Sequence, residues 1–438
     1  MVADCGAPTW PGLCADAALL ACPRPSADNL RAIAMKDLLR DSRIQRLLLA
    51  NITGSIGSGV TIFSVPWLLI KLPGGSASYG AVTLVTTIIL FLFLPYYGVW
   101  IDRHSRKKIM LGSELFGFAA MATMAAIGAF AGGYGVWPLS IIYFCGMLYY
   151  TLHFPAKFAM LQQIIAKSQY QSLMGLMEIQ GQIAMMAAGG LGAILVEHVS
   201  LTTILCFDAA TYLFSFFIQS TIPYDADHLT PGEAPRTSAW SSIAEGWQWL
   251  RDRPRLTVFF TASLLPFIAV MVGNYLFPIY ISQTLGAGAW VFGLGEIIFA
   301  FGAALAGLIL PRLITEHSAQ RTVPVTVAVF ALGAALLVFF PNITIYLLAA
   351  LLLGFGNAGS RVARSAAILH LVDKKVMGRV NSFFYAYDRV LRTVLTSAVI
   401  AIVTTGGARH AFALLLALVL VGLVAVWQSR SALQPASA

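Results

Sequence analysis

The stretch Gly98-Val-Trp-Ile-Asp102-Arg103-His-Ser-Arg106-Lys107-Lys108 separates two long apolar runs, near residues 77 to 101 and 109 to 132. A helix needs about 20 apolar residues to cross the hydrocarbon of a bilayer, and only helices satisfy their own backbone there unless a barrel closes. Both runs are far too long for barrel strands, so they read as membrane spans. The cations between them mark a cytoplasmic loop, because such loops retain lysine and arginine.

Working outward, the same alternation continues along the chain. Spans are expected near 46 to 70, 136 to 158, 173 to 196 and 199 to 220, and then near 256 to 283, 288 to 311, 322 to 340, 342 to 362, 380 to 405 and 408 to 428. Basic residues crowd every second connection: Arg40, Arg43 and Arg46; Lys157 and Lys167; Arg251, Arg253 and Arg255; Arg312 and Arg321; Lys374, Lys375 and Arg379. Of 28 lysines and arginines, only Lys71 and Arg409 fall in outward loops. The expected fold class is an all-α membrane protein of twelve transmembrane helices, with both termini cytoplasmic.

Composition agrees, with 58% hydrophobic and 11% charged residues and a mean hydropathy of +0.78, far from a soluble domain. The net charge of +9 is spread over loops beside the membrane and not gathered on one domain, which argues against a nucleic-acid partner. The five cysteines suggest no disulfide framework, since Cys145 and Cys206 sit inside spans. A leader over 1 to 42 reads as disordered, with Met35 a candidate start. A six-helix bundle follows over 43 to 220, a cytoplasmic linker over 221 to 255, a second bundle over 256 to 428 and a tail over 429 to 438. Within the linker, Trp240, Ile243, Trp247 and Leu250 recur at helical spacing, so a helix lying along the membrane surface is expected there.

The two halves look like copies at an offset of about 210 residues. Pro66 meets Pro278, Gly98 with Arg103 meets Gly307 with Arg312, and Gly146 with Lys157 meets Gly354 with Arg364. Two pseudo-symmetric six-helix bundles are a transporter architecture with the substrate site between the halves near mid-membrane.

The loop from Gly98 to Lys108 resembles the signature of the major facilitator superfamily, and the resemblance implies a cytoplasmic gate built on Gly98, Asp102, Arg103, Arg106, Lys107 and Arg379. It departs from the usual pattern at Ser105, where glycine is common. Phe154-Pro155-Ala156-Lys157, Phe207-Asp208-Ala209-Ala210-Thr211, Glu245-Gly246-Trp247-Gln248-Trp249-Leu250-Arg251 and Gly378-Arg379-Val380-Asn381 are similar to the drug and siderophore exporter branch, that is, to enterobactin-exporter and macrolide-efflux type carriers. Two features of proton-driven relatives are missing or degraded: span four has no arginine, and Gly189-Gly190-Leu191-Gly192 lacks the proline of the antiporter motif.

Charge inside a bilayer is costly, so each buried ionisable group is a candidate for the transport cavity or for proton coupling. Asp388 and Arg392 are one turn apart in span eleven and form either a proton-sensitive switch or a fixed ion pair. Glu178 lies near the pseudo-symmetric counterpart of Asp388, and Glu296 follows a glycine in span eight. His153 shares a face with Lys157. Ser58, Thr61, Asn274 and Asn357 are uncharged groups that could orient a substrate. Asp208 reads as structural, and Glu114 as neutralising the basic loop.

The expected function is a secondary active transporter that exports a small amphiphilic molecule, drug or siderophore-like, by alternating access coupled to protons. An uptake carrier or lysolipid flippase on the same fold is the alternative. An intramembrane enzyme is disfavoured because His-Glu-x-x-His, Gly-x-Ser-x-Gly and a phosphate-cradling glycine loop are all missing. A sensor would need a folded soluble domain. The expected partners are a small-molecule substrate, protons and the lipid of a bacterial inner membrane, with no cofactor, no metal and a monomeric state.

Overall fold

Each apolar run becomes a helix, because in lipid the chain must bond its own backbone groups. The computed structural model describes residues 40–165, 169–224, 239–372 and 376–433. The leader before residue 40 therefore lies outside the described residues. The first half comprises α1 (Ser42–Lys71), α2 (Gly75–Arg103), α3 (Arg106–Ala131), α4 (Val136–Ile164), α5 (Tyr170–His198) and α6 (Leu201–Ser220). A short α7 (Ala239–Arg251) precedes α8 (Pro254–Ser263) and α9 (Leu265–Ile279), and then come α10 (Ala289–Phe339), α11 (Ile343–Leu371), α12 (Met377–Gly406) and α13 (Ala408–Ser429). Twelve segments of these helices are long and apolar enough to cross a membrane.

The seventh span is broken between α8 and α9, where Pro266 at the start of α9 supplies no amide hydrogen. It ends in a π turn over Tyr280–Thr284. Spans eight and nine, expected as two helices, form one unbroken helical run, α10. That run is not straight. Its first arm, at Phe299, packs on Gly354, and its second arm, at Phe330, packs on Gly356, so two residues that are 31 apart in sequence reach the same turn of α11. The chain must reverse between Leu310 and Gln320, which restores the two antiparallel spans.

Glycine is what lets these helices approach. A methyl group on Gly354 would overlap the carbonyl of Phe299, and one on Gly302 would overlap the carbonyl of Leu351. Gly354→Ala is therefore expected to destabilise the second bundle by about 1–3 kcal/mol, since backbone cannot yield as a side chain can. Thermal unfolding in detergent micelles checks this, and an unchanged midpoint would refute the contact.

Helix ends alternate between two faces of the molecule, here called the Lys71 end and the Arg106 end. At the Arg106 end, basic side chains close helix C-termini, whose last carbonyls lack partners and carry negative partial charge. Arg106 donates to the carbonyl of Ala159 at 2.7 Å, and Lys107 to those of Ser220 and Ile222 at 2.7 and 2.6 Å. Arg46 donates to the carbonyl of Thr221 at 2.9 Å. Ser105 caps α3 by accepting from the Lys108 amide, which gives a structural reason for the serine in this loop. Asp41 caps α1 and pairs with Arg43 at 2.7 Å. The Arg43 guanidinium holds the Asp41 carboxyl below its ordinary range.

The linker helix α7 docks on α12. A methyl group on Gly246 would overlap the Arg379 carbonyl, Trp247 stacks on Phe383 with ring centroids 5.3 Å apart, and Leu250 is fully buried. Its Glu245 pairs with Arg379 at 2.9 Å; both groups are exposed, so that pair contributes little stability.

Candidate functional site

The halves meet at the Lys71 end. There the Glu197 carboxylate accepts from the Ala289 amide at 2.7 Å, closing the N-terminus of α10. Gln283 donates to Ser76 Oγ at 2.6 Å and Tyr275 to the Ser76 carbonyl at 3.2 Å. Beneath them Phe63 stacks on Phe292 at 4.5 Å, and Tyr79 lies against Tyr275 at 5.1 Å. Gly293 sits against Ala193 and the carbonyl of Gly189, so α5 and α10 touch through their backbones. Glu296 is one turn deeper in this seam, its Cβ only 3.0 Å from where a Gly189 methyl would lie. Its neighbour Gly295 leaves room for the Tyr346 hydroxyl.

Two cavities lie within the first bundle. The larger spans about 350 Å³ of non-atom space, open solvent included, and is lined by Asn51, Gly54, Ser55 and Ser58 of α1, Glu114 of α3, and Tyr149, Tyr150, His153, Phe154 and Lys157 of α4. Glu114 is 1% exposed, on the buried face that α3 forms with Met110, Gly117 and Met121 at helical spacing. Its Oε1 accepts from Gln219 Nε2 at 2.7 Å and from the Tyr149 hydroxyl at 3.2 Å. His153 Nδ1 stands 3.6 Å from the same oxygen.

Ser113 Oγ lies 2.7 Å from the Met110 carbonyl and 2.9 Å from His153 Nδ1, so its single proton goes to one of the two, and the imidazole donates to Ser113 when Met110 takes it. Tyr149 stacks on His153 at 5.0 Å and meets Tyr212 edge-on at 4.7 Å. Lys157 is buried with its Nζ 5.1 Å from the Phe154 ring centroid and 5.9 Å from that of Phe158.

The smaller cavity, about 260 Å³, shares Ser58 with the first and is lined further by Thr61, Met121, Tyr143, Asp208 and Tyr212. Thr61 donates to Asp208 Oδ2 at 2.6 Å, while the Ser58 hydroxyl goes to the Gly54 carbonyl at 2.8 Å. The approach is possible because residue 57 is glycine. A methyl there would overlap Thr211 Oγ1 and lie 3.0 Å from Asp208 Oδ1.

In the second bundle, Arg392 donates through one nitrogen to both oxygens of Asp388, at 2.8 and 2.7 Å. Asp388 is 6% exposed, with Arg389 Nε 4.0 Å from its Oδ2. The Arg392 guanidinium lies over the Phe267 ring at 5.5 Å. Asn274 is exposed on the α9 face that also carries Phe267 and Met271. Asn357 is buried in α11, and its carbonyl accepts from Ser360. Arg364, the counterpart of Lys157, donates to the Ser263 carbonyl at 2.9 Å.

The structure thus brings together Ser58, Thr61 and His153, and separately Asp388 with Arg392. Glu296, Asn274 and Asn357 line neither cavity. Glu178, Gly98, Asp102 and Arg103 lie on helical backbone, with side chains outside the described residues. Two acids that the sequence reading left outside the site, Glu114 and Asp208, line these cavities. Glu114 neutralises no loop: its partners are Gln219, Tyr149 and His153 in the bundle interior. The usable signal was its spacing from Gly117, which marks the face of α3 that touches α6.

Among the described residues, twelve membrane-length helical segments in two bundles around buried polar groups define a multi-pass membrane protein of transporter architecture. The sequence pattern of the Major Facilitator Superfamily matches residues 47–384 and again 267–437, and the chain belongs to that family. Macrolide efflux protein A of Enterococcus faecalis is 25% identical over 264 residues, 60% of this chain and 80% of that protein. The multidrug efflux pump Tap of Mycobacterium tuberculosis is 22% identical over 358 residues, 78% of this chain and 83% of that pump. In fold the chain is similar to the nucleoside transporter NupG, with a TM-score of 0.67 at 15% identity over 88% of this chain and 99% of that one. A bacterial homologue of the iron transporter ferroportin matches in its inward-facing state with a TM-score of 0.65, at 16% identity over 88% of this chain and 98% of that one. Its outward-facing state gives 0.56 at 16% identity, over 88% and 99%. The protein is a multi-pass transporter of the bacterial inner membrane.

Proposed function

We propose that this protein is a secondary active exporter of small amphiphilic molecules, in which the two bundles rock about a site between them and proton entry drives the cycle. The observation that carries this reading is the seam at the Lys71 end, where hydrogen bonds, stacked rings and backbone contacts join the halves. Placing basic loops on the cytoplasmic side makes that end the outer one. The molecule is then sealed outward, and its shape lies nearer the inward-facing than the outward-facing ferroportin homologue. An exporter loads its cargo in this state. Two relatives carry the printed names of a macrolide efflux protein and a multidrug efflux pump, which favours export over uptake.

Proton coupling is assigned to Asp388 and Arg392. Losing the Asp388 charge would release Arg392 from the one arrangement the structure shows and give a gradient a second state to favour. Glu178, on the equivalent helix of the first bundle, is a second candidate. Expression in a drug-sensitive bacterial strain is expected to lower ethidium or erythromycin accumulation several-fold, and a protonophore should abolish the difference. Equal accumulation with and without the protein, for both compounds, would count against export; higher accumulation would indicate uptake.

A further inference from the structure

We propose that the cleft around Lys157 anchors the transported molecule by an anionic oxygen, with an aromatic or flat apolar body lying against α4. This rests on the transporter reading and adds a substrate class to it. The halves carry a cation at equivalent positions, Lys157 on α4 and Arg364 on α11, and both are buried. Arg364 is satisfied by the Ser263 carbonyl at 2.9 Å. Lys157 differs. Among the described residues no oxygen accepts a hydrogen bond from its ammonium, which faces the larger cavity between Phe154 and Phe158.

A buried cation without an acceptor is unstable unless a ligand supplies one. Ring quadrupoles alone replace only part of the lost hydration. The walls beside it fit an aromatic guest: Tyr150 and Phe154 stack on each other at 6.3 Å, and each residue is about half exposed. Asn51, Ser55 and Ser58 of α1 add uncharged polar groups on the opposite wall. The one carboxylate lining the cleft, Glu114, turns Oε1 into the bundle, toward Gln219 and Tyr149. When ionised it opposes an anion in the cleft, so a charged Glu114 and Lys157 pull the affinity in opposite directions.

The test uses the full-length protein in lipid nanodiscs and three probes of equal shape: 2-naphthoate, 2-naphthalenemethanol and 2-naphthylmethylammonium. Binding is read as dissociation constants from tryptophan quenching, with thermal shift as a second readout. The anion should bind the wild type at least tenfold more tightly than the alcohol, and the ammonium most weakly. Lys157→Gln should erase the anion preference while leaving the alcohol unchanged, Lys157→Arg should keep it, and Glu114→Gln should strengthen anion binding. A wild type that ranks the alcohol or the ammonium first overturns the proposal, and this comparison needs no variant to fold. So does an anion preference that survives Lys157→Gln. Drug efflux from cells is scored in parallel: efflux without anion preference sinks only the subsite, whereas anion binding without any efflux sinks the exporter reading alone.

Discussion

Cross-linking the Lys71 end should stop transport completely. With the five native cysteines replaced, cysteines at Ser76 and Gln283 would face each other across the halves, since the present side chains meet at 2.6 Å. A short bis-methanethiosulfonate reagent should join them, and efflux should fall in proportion to the cross-linked fraction. Dithiothreitol should restore it. The reason is mechanical: each bundle is a packed body, so cargo can leave outward only if this seam parts. A fully cross-linked protein that still transports would exclude rocking about this seam.

The second large effect is expected at Asp388. Asp388→Asn keeps the shape of the side chain and removes the charge that protonation would cancel. Accumulation driven by a pH gradient in inverted vesicles should drop at least tenfold, while substrate exchange across vesicles without a gradient survives. Glu178→Gln is the matched test on the other half. A purely structural ion pair gives a different pattern. Breaking a buried pair by deleting one partner costs about 3–5 kcal/mol, so the variant would lose expression and thermal stability, and exchange would fail together with driven transport. The double change Asp388→Asn with Arg392→Gln should recover stability in that case. Unaltered gradient dependence in Asp388→Asn would remove this pair from coupling.

Why the pairing of Asp388 with Arg392 could be read from the sequence, and the partners of Glu114 could not, is a matter of reach. The first two are one helical turn apart, so their pairing at 2.7 Å is settled by helix geometry alone. Glu114 depends on α4 and α6. Its partners Tyr149 and Gln219 are 35 and 105 residues away, and spacing along one span marks a face without saying what that face meets. Asp208 was hidden for the same reason: only the crossing of α1 over α6 at Gly57 brings Thr61 to it. The reversal inside α10 shows the opposite case. There hydropathy separated two spans correctly even though the helix is continuous, because the bilayer limits how long an apolar run can be.

The chain by itself determined what is set by solvent: the number of spans, their ends, the positions of the basic loops and the repetition of the halves. Lipid imposes these one segment at a time, so local composition is enough to reveal them. Tertiary structure alone decided which buried charges meet, which end of the molecule is shut, and that Lys157 lines a cavity while Arg364 bonds the Ser263 carbonyl. Those outcomes depend on helix rotation and crossing, which are governed by contacts among residues far apart in the chain.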